Sequence, residues 1–248
     1  ALESFTVLQT VGDDAMLGWT LSNIGRLMTI GEEYAKATDY FEQALGIYQR
    51  LGHQWSICMT KLDMCDLLFA TGEIGRAHIT LEEILPTFQK VDHLWMVVRT
   101  LHLLGKVHWL QGFSSKATEV WNEALRLATE IDARFFLAAI HCLLGITAQA
   151  HQAQEEAQRH FYESLDLYRM IENESGVAYA VSGLASLHDS PIIQAQLLAA
   201  ASKVLDMAKL PTDMIERQYH KQLVRATRMQ LNEVTFAVAW DLGRSMTL

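Results

Sequence analysis

Two stretches of the chain decide its architecture: residues 21–48, LSNIGRLMTIGEEYAKATDYFEQALGIY, and residues 101–128, LHLLGKVHWLQGFSSKATEVWNEALRLA. Each opens on an apolar stripe with a small residue in it: Leu21, Ile24, Gly25 and Met28 in the first, Leu101, Leu104 and Gly105 in the second. Each continues with a second stripe: Ala37, Phe41, Ala44, Leu45 and Tyr48, then Ala117, Trp121, Ala124, Leu125 and Ala128. The i, i+3, i+4, i+7 spacings place each stripe on one face of an α-helix. Between the stripes stand Gly31-Glu32 and Gly112-Phe113, and glycine past a helix end takes the left-handed conformation that side chains resist. Each stretch therefore predicts a pair of helices.

The pattern recurs every 40 residues. Gly25, Cys65, Gly105 and Gly145 share one position; Ala37, Ala77, Ala117 and Ala157 share another; Phe41, Leu81, Trp121 and Phe161 a third; Leu45, Leu85, Leu125 and Leu165 a fourth. Two helices pack about 8–10 Å apart, and the near end of that range tolerates little side chain at the crossing. Gly25 and Ala37 supply such a crossing, and Phe41 and its equivalents fill the space between successive pairs. A single hairpin cannot cover its own apolar face, so the repeats must stack. His151-Gln152 replaces glycine at the turn of the fourth unit. Ser4, Phe5, Leu8 and Gly12 match the end of a preceding unit. At the other end the period slips to 38: Gly183, Ala195, Ala199 and Ser202 complete a fifth unit, with Ala199 where the others carry a bulky residue.

Composition narrows the function. The chain has 248 residues, 20 Lys+Arg against 29 Asp+Glu, a net charge of −9 with neutral His, 3 Pro, 14 Gly and 3 Cys. An acidic chain has no electrostatic reason to bind a phosphate backbone. Cys58, Cys65 and Cys142 form no close CxxC pair, so neither a disulfide framework nor a cysteine zinc site is expected, and a reducing, cytoplasmic setting is. The longest apolar run, Phe135 to Ala148, is interrupted by His141 and Gly145 and falls short of the ~20 residues a membrane span needs. The start, ALESFTVLQTVGDD, has neither the basic head nor the apolar stretch of a secretory signal. The ten His include no HExxH or His-x₃-His pair, and no nucleophile motif or phosphate loop is present. No enzyme, metal or cofactor is expected in this chain.

The repeats resemble tetratricopeptide repeats, whose pattern of bulky-x-x-Leu-Gly-x-x-bulky followed by Ala-x-x-x-Phe-x-x-Ala stands here in the residues quoted above. The second unit departs from it at Lys61 and Cys65. The resemblance implies an all-α, right-handed superhelical solenoid of about five hairpins, with units near 13–52, 53–92, 93–132, 133–172 and 173–210. Residues 1–12 would end a preceding repeat, and a helix pair over 211–248 would cap the array. The tail is similar to the C-terminal helical region of bacterial STAND-type ATPase regulators, including maltose-regulator, LuxR-type and AfsR-like proteins. The matching residues are Ala195, Leu197, Leu198, Ala200, Ala201, Pro211, Arg217, Tyr219, Arg228, Leu231, Phe236, Ala237, Ala239, Trp240, Gly243 and Arg244, with Ala199 where the pattern usually has Gly. That likeness implies a non-catalytic sensor or protein-interaction module within a larger signalling protein. Its partners would be a protein, a peptide or a small inducer, and the other domains of its parent chain. A free-standing or otherwise fused scaffold that binds a peptide is the alternative.

In a tetratricopeptide superhelix the first-helix positions facing the hollow would be Trp19, Ser22 and Arg26; Met59, Leu62, Asp66 and Phe69; Arg99, His102, Lys106 and Trp109; and Cys142 and Gln149. Arg99, His102, Lys106 and Trp109 fall at spacings of three, four and three, hence on one face. Such a face suits a carboxylate or an acidic peptide, with Trp109 as an apolar or cation–π wall, or is simply a solvated face with one half-buried Trp. Arg217, Lys221, Arg225 and Arg228 make a second basic stripe on the penultimate helix. It reads either as a dock for an acidic neighbour or as a solvated face with local pairing to Glu216.

Overall fold

The structure is a computed structural model and describes residues 13–207 and 214–248. Among these, every regular element is an α-helix: α1 Asp14–Ile30, α2 Tyr34–Leu51, α3 Gln54–Ala70, α4 Ile74–Lys90, α5 Leu94–Leu110, α6 Ser114–Glu130, α7 Arg134–Ala150, α8 Gln154–Met170, α9 Glu174–Ser186, α10 Pro191–Met207, α11 Met214–Gln230 and α12 Glu233–Ser245. The all-α, tetratricopeptide-like architecture expected from the 40-residue period is the one observed. Ser4, Phe5, Leu8, Gly12 and Pro211 lie outside the described residues.

The turns repeat more finely than the helices. Glu32, Gly52, Gly72, Asp92, Gly112, Asp132, Gln152 and Glu172 all have φ between 47° and 84°. They stand 20 residues apart, so each helix with its turn is one 20-residue step and two steps make one repeat. After seven of these turns the chain closes back on the helix it has left, as when the Glu33 amide donates to the Met28 carbonyl at 2.9 Å and the Ala153 amide to Ala148 at 2.9 Å. These six-residue closures satisfy carbonyls that the helix end would otherwise leave open. At the first turn the left-handed residue is Glu32, and Gly31 keeps an ordinary φ of −78°. The glycine pattern of the sequence points instead to Gly31, so the left-handed position falls one residue later than expected.

The chain forms two compact units that divide between Gln111 and Gly112, inside the third sequence repeat. In the first, α1 to α5 pack in succession, and α1 also reaches α3. Phe41 is fully buried and packs with Ala37 and Leu67. A Cβ on Gly25 would come within 3.0 Å of the Phe41 ring, so the small residue is there to admit the large one.

The second unit holds α6 to α12. Trp121, Phe161 and Leu143 are completely buried there. Phe161 lies against two glycines: an added Cβ would meet its ring at 2.7 Å from Gly145 and 2.4 Å from Gly183. α9 still starts 40 residues after α7, but it has 13 residues where α3 to α8 have 17, so α10 begins early and the last unit leaves the 40-residue period from there on. Ala199 also finds its reason. A Cβ on Gly243 would lie 2.1 Å from the Gln196 carbonyl oxygen and 2.8 Å from the Ala199 Cβ. A bulky residue at 199 would hold α12 away from α10. Ala195, Phe236 and Ala239 form the core of that contact, with Leu231 and Trp240 against it.

Candidate functional site

The first unit brings charged side chains from three first helices together. Arg99 on α5 donates from Nη1 to Asp63 Oδ1 at 2.8 Å and from Nη2 to Asp66 Oδ2 at 2.9 Å, both on α3. Arg26 on α1 approaches Asp63 Oδ1 at 4.0 Å. Arg99 and Asp63 are largely covered, with side chains 15% and 11% exposed, while Asp66 and Arg26 stand half open at 52% and 53%. Burial works against the Arg99 charge, but Asp66 and Asp63 outweigh it and raise its pKa. Next to this network Ser22 and Thr60 share a buried hydrogen bond of 3.0 Å between α1 and α3.

Arg26, Asp66 and Arg99, predicted from the repeat register, therefore do meet on one face. The rest of the predicted band differs from the expectation. Arg99 does not present an open guanidinium, because two carboxylates hold it. His102 and Lys106 are buried, at 5% and 6% exposure. Burial first, then the neighbouring charges of Lys106 and Arg99, drives the His102 pKa well below its ordinary value. Phe69 is also buried, Leu62 fully, and Trp109 is half-buried. Trp19, at the far end of α1, is 60% exposed. In the second unit Cys142 is buried and Gln149 is half-buried on α7, its Oε1 atom enclosed without a hydrogen-bond partner among the described residues.

Asp63, the acid shared by Arg99 and Arg26, is the side chain of this network that the repeat register does not single out. It lies 40 residues after Asn23. Asn23 donates from Nδ2 to the Trp19 carbonyl at 2.9 Å within its own helix. At the same repeat position a carboxylate cannot donate, and Asp63 turns to Arg99 instead. The substitution of an acid for an amide in an otherwise periodic sequence was the available signal.

The second basic stripe also divides. Arg228 pairs with Glu233 at 2.9 Å and lies over the Phe236 ring, 5.4 Å from its centroid. Glu216, the expected local partner, is buried at 3% exposure. Arg217, Lys221 and Arg225 stay exposed and line a cleft of about 400 Å³ with Trp240. The same tail places Tyr219 Oη 3.1 Å from Ser186 Oγ, and Arg244 donates to Asp206 at 2.8 Å. Most residues of the tail motif thus hold α9 to α12 together. Among the described residues no three His, Cys, Asp or Glu are placed to hold a metal ion, and no helix is long and apolar enough to cross a membrane.

Comparison with known proteins fits this geometry. A family model described as Tetratricopeptide repeat matches residues 17–51, the span of α1 and α2. Among solved structures, the nearly identical tetratricopeptide-like repeats of a kinesin light chain protein from Podosopora anserina superpose with a TM-score of 0.52 at 15% identity, over 89% of this chain and 98% of that one. At that identity the likeness is one of fold. No curated protein matches the sequence. Over the described residues the chain thus has the fold of tetratricopeptide-like repeats.

Proposed function

We propose that this chain is the non-catalytic recognition module of a larger STAND-type signalling ATPase or transcriptional regulator. The observation that carries the module reading is the face in the first unit, where Arg26, Asp63, Asp66 and Arg99 join three successive first helices by ion pairs. A partner segment laid across it would meet the open sides of Arg26 and Asp66, with Trp109 further along α5. Arg99 organises that face rather than reaching for the ligand, and mixed charge there selects a segment with both signs. The residue motif over 195–244 supports the regulator reading, and the repeat bounds drawn from the sequence belong to the same proposal. Phe69, His102, Lys106 and Gln149 enter it as supports of the face or as positions further along the array.

The test uses the full-length polypeptide. A phosphate-loop ATPase domain in the same chain, with hydrolysis that rises several-fold when residues 14–245 are deleted, is the expected result. A polypeptide with no such domain would overturn the regulator reading and leave a peptide-binding scaffold.

A further inference from the structure

The cleft between α10, α11 and α12 in the second unit has no part in the face described above. Along one wall run Arg217, Lys221 and Arg225, each exposed and none with an ion-pair partner among the described residues. The acid in the cleft, Asp206, is taken by Arg244 at 2.8 Å. The next cation of the stripe, Arg228, is taken by Glu233, so the open row stops at Arg225. Glu216, on the same helix, is buried and acts electrostatically on Tyr168. Leu205 and Val224 also line the cleft, beside Trp240. A volume of about 400 Å³ lies within the range of ligand-binding clefts.

Like charges four residues apart on a helix repel, so the fold gains nothing from this row. It stands out in a chain of net charge −9. Its spacing is informative. Four helical residues rise about 6 Å. Alternate residues of an extended strand are about 6.6–6.8 Å apart and point to the same side. A segment with acidic residues at alternate positions therefore matches the row one carboxylate to one cation. The side chains between them, or the stems of the acids, would lie over Leu205, Val224 and Trp240.

We propose that this cleft binds an extended acidic segment of a partner protein, with carboxylates at alternate positions paired to Arg217, Lys221 and Arg225. Charge-assisted bonds from the two guanidinium groups orient the segment, and Lys221 acts as a point charge between them. The site extends the interaction-module reading to a second surface, and it stands whichever parent protein that module serves.

The experiment titrates the purified 248-residue chain into a fluorescein-labelled hexapeptide of alternating glutamate and alanine, read by anisotropy. Saturable micromolar binding that weakens at least tenfold between about 50 and 500 mM salt is expected. The Arg217→Ala/Arg225→Ala double variant should lose at least tenfold in affinity with unchanged circular dichroism, because both side chains are exposed. The alternating glutamine–alanine peptide should not bind. Three results would each overturn the proposal: no saturation at millimolar protein, unchanged affinity in the double variant, or displacement by succinate at equal carboxylate concentration. The last would mean a site for any single small anion rather than for a spaced row.

Discussion

Eight residues set the 20-residue step of this chain, and they meet the same conformational demand with different chemistry. Gly52, Gly72 and Gly112 adopt positive φ with open space where a Cβ would stand. Glu32, Asp92, Asp132, Gln152 and Glu172 hold the same conformation with a side chain in place. For an L-residue that conformation costs roughly 1–2 kcal/mol, offset in part by the lower unfolded-state entropy of a non-glycine residue. Gln152→Gly should therefore stabilise the chain by up to about 1 kcal/mol, and Gly112→Ala should destabilise it by about 1 kcal/mol. Urea unfolding of the two variants checks both signs. If both changes move the midpoint in the same direction, the turn conformation does not govern stability at these sites. The sequence made this step only half visible. Glycine marks three of the eight positions, and the five others are polar residues that look like ordinary loop. At Gly31-Glu32 the glycine drew attention to the wrong residue of the pair.

At the scale of helices, the ion-pair network of α1, α3 and α5 separates two kinds of arginine. Arg99 is largely covered and makes two good hydrogen bonds, whereas Arg26 is half open and 4.0 Å from its carboxylate. Hydrogen bonds to charged groups contribute about 1.5–3 kcal/mol, while exposed ion pairs contribute between nothing and about 1 kcal/mol. Arg99→Ala should therefore cost about 2–4 kcal/mol, including the penalty of leaving Asp63 covered without its cation, and Arg26→Ala less than ~1 kcal/mol. Equal losses in denaturant melts would show that Arg99 is not the organiser. Apolar periodicity made these helices legible because it repeats at every unit: Gly25 against Phe41 and Gly145 against Phe161 are one contact read twice. The same register puts Arg26, Asp66 and Arg99 on neighbouring first helices, where ion pairs through Asp63 link them. It could not tell which charges would face water. His102 and Lys106 carry polar letters at positions that the packing encloses, and burial depends on neighbours that a single helix face does not reveal. Ala199 was legible as a departure but not as a cause, since its reason is Gly243, 44 residues later and outside the 40-residue period.

Taken as a whole, the molecule keeps several histidines out of water, and its response to acid follows from them. Burial is the first cause in each case. It lowers the pKa of His141, drives that of His102 well down, and pushes His160 and His220 down to about 4. His220 is held neutral between two hydroxyls, Ser182 Oγ at 2.8 Å from Nδ1 and Ser202 Oγ at 2.9 Å from Nε2. Asp206 nearby favours its charge and Lys221 opposes it, and neither overcomes burial. His160 faces His141 at 2.9 Å between ring nitrogens, so protonating one ring disfavours protonating the other. An unfolded histidine titrates near 6.5. A group whose folded pKa lies below that value binds more protons when the chain unfolds. Its stabilising contribution is complete above about pH 6.5, declines as pH falls, and stops declining near the folded value of about 4. Over that window His220 alone removes up to about 3 kcal/mol, at 1.36 kcal/mol per pKa unit, and His160 a comparable amount less whatever His141 shares. Most carboxylates remain charged until the lower end of the window, so the loss should begin nearer pH 6 than pH 4. Urea unfolding at pH 7.5, 6.0 and 5.0 should show a progressive fall of several kcal/mol. His220→Gln, which keeps hydrogen-bonding groups for both serines but cannot protonate, should flatten that fall by about 1–2 kcal/mol between pH 7.5 and 5.0. A fall of less than ~1 kcal/mol in the wild-type chain, or a His220→Gln profile parallel to it, would mean that water reaches these rings in the folded state and that their burial does not set the acid limit.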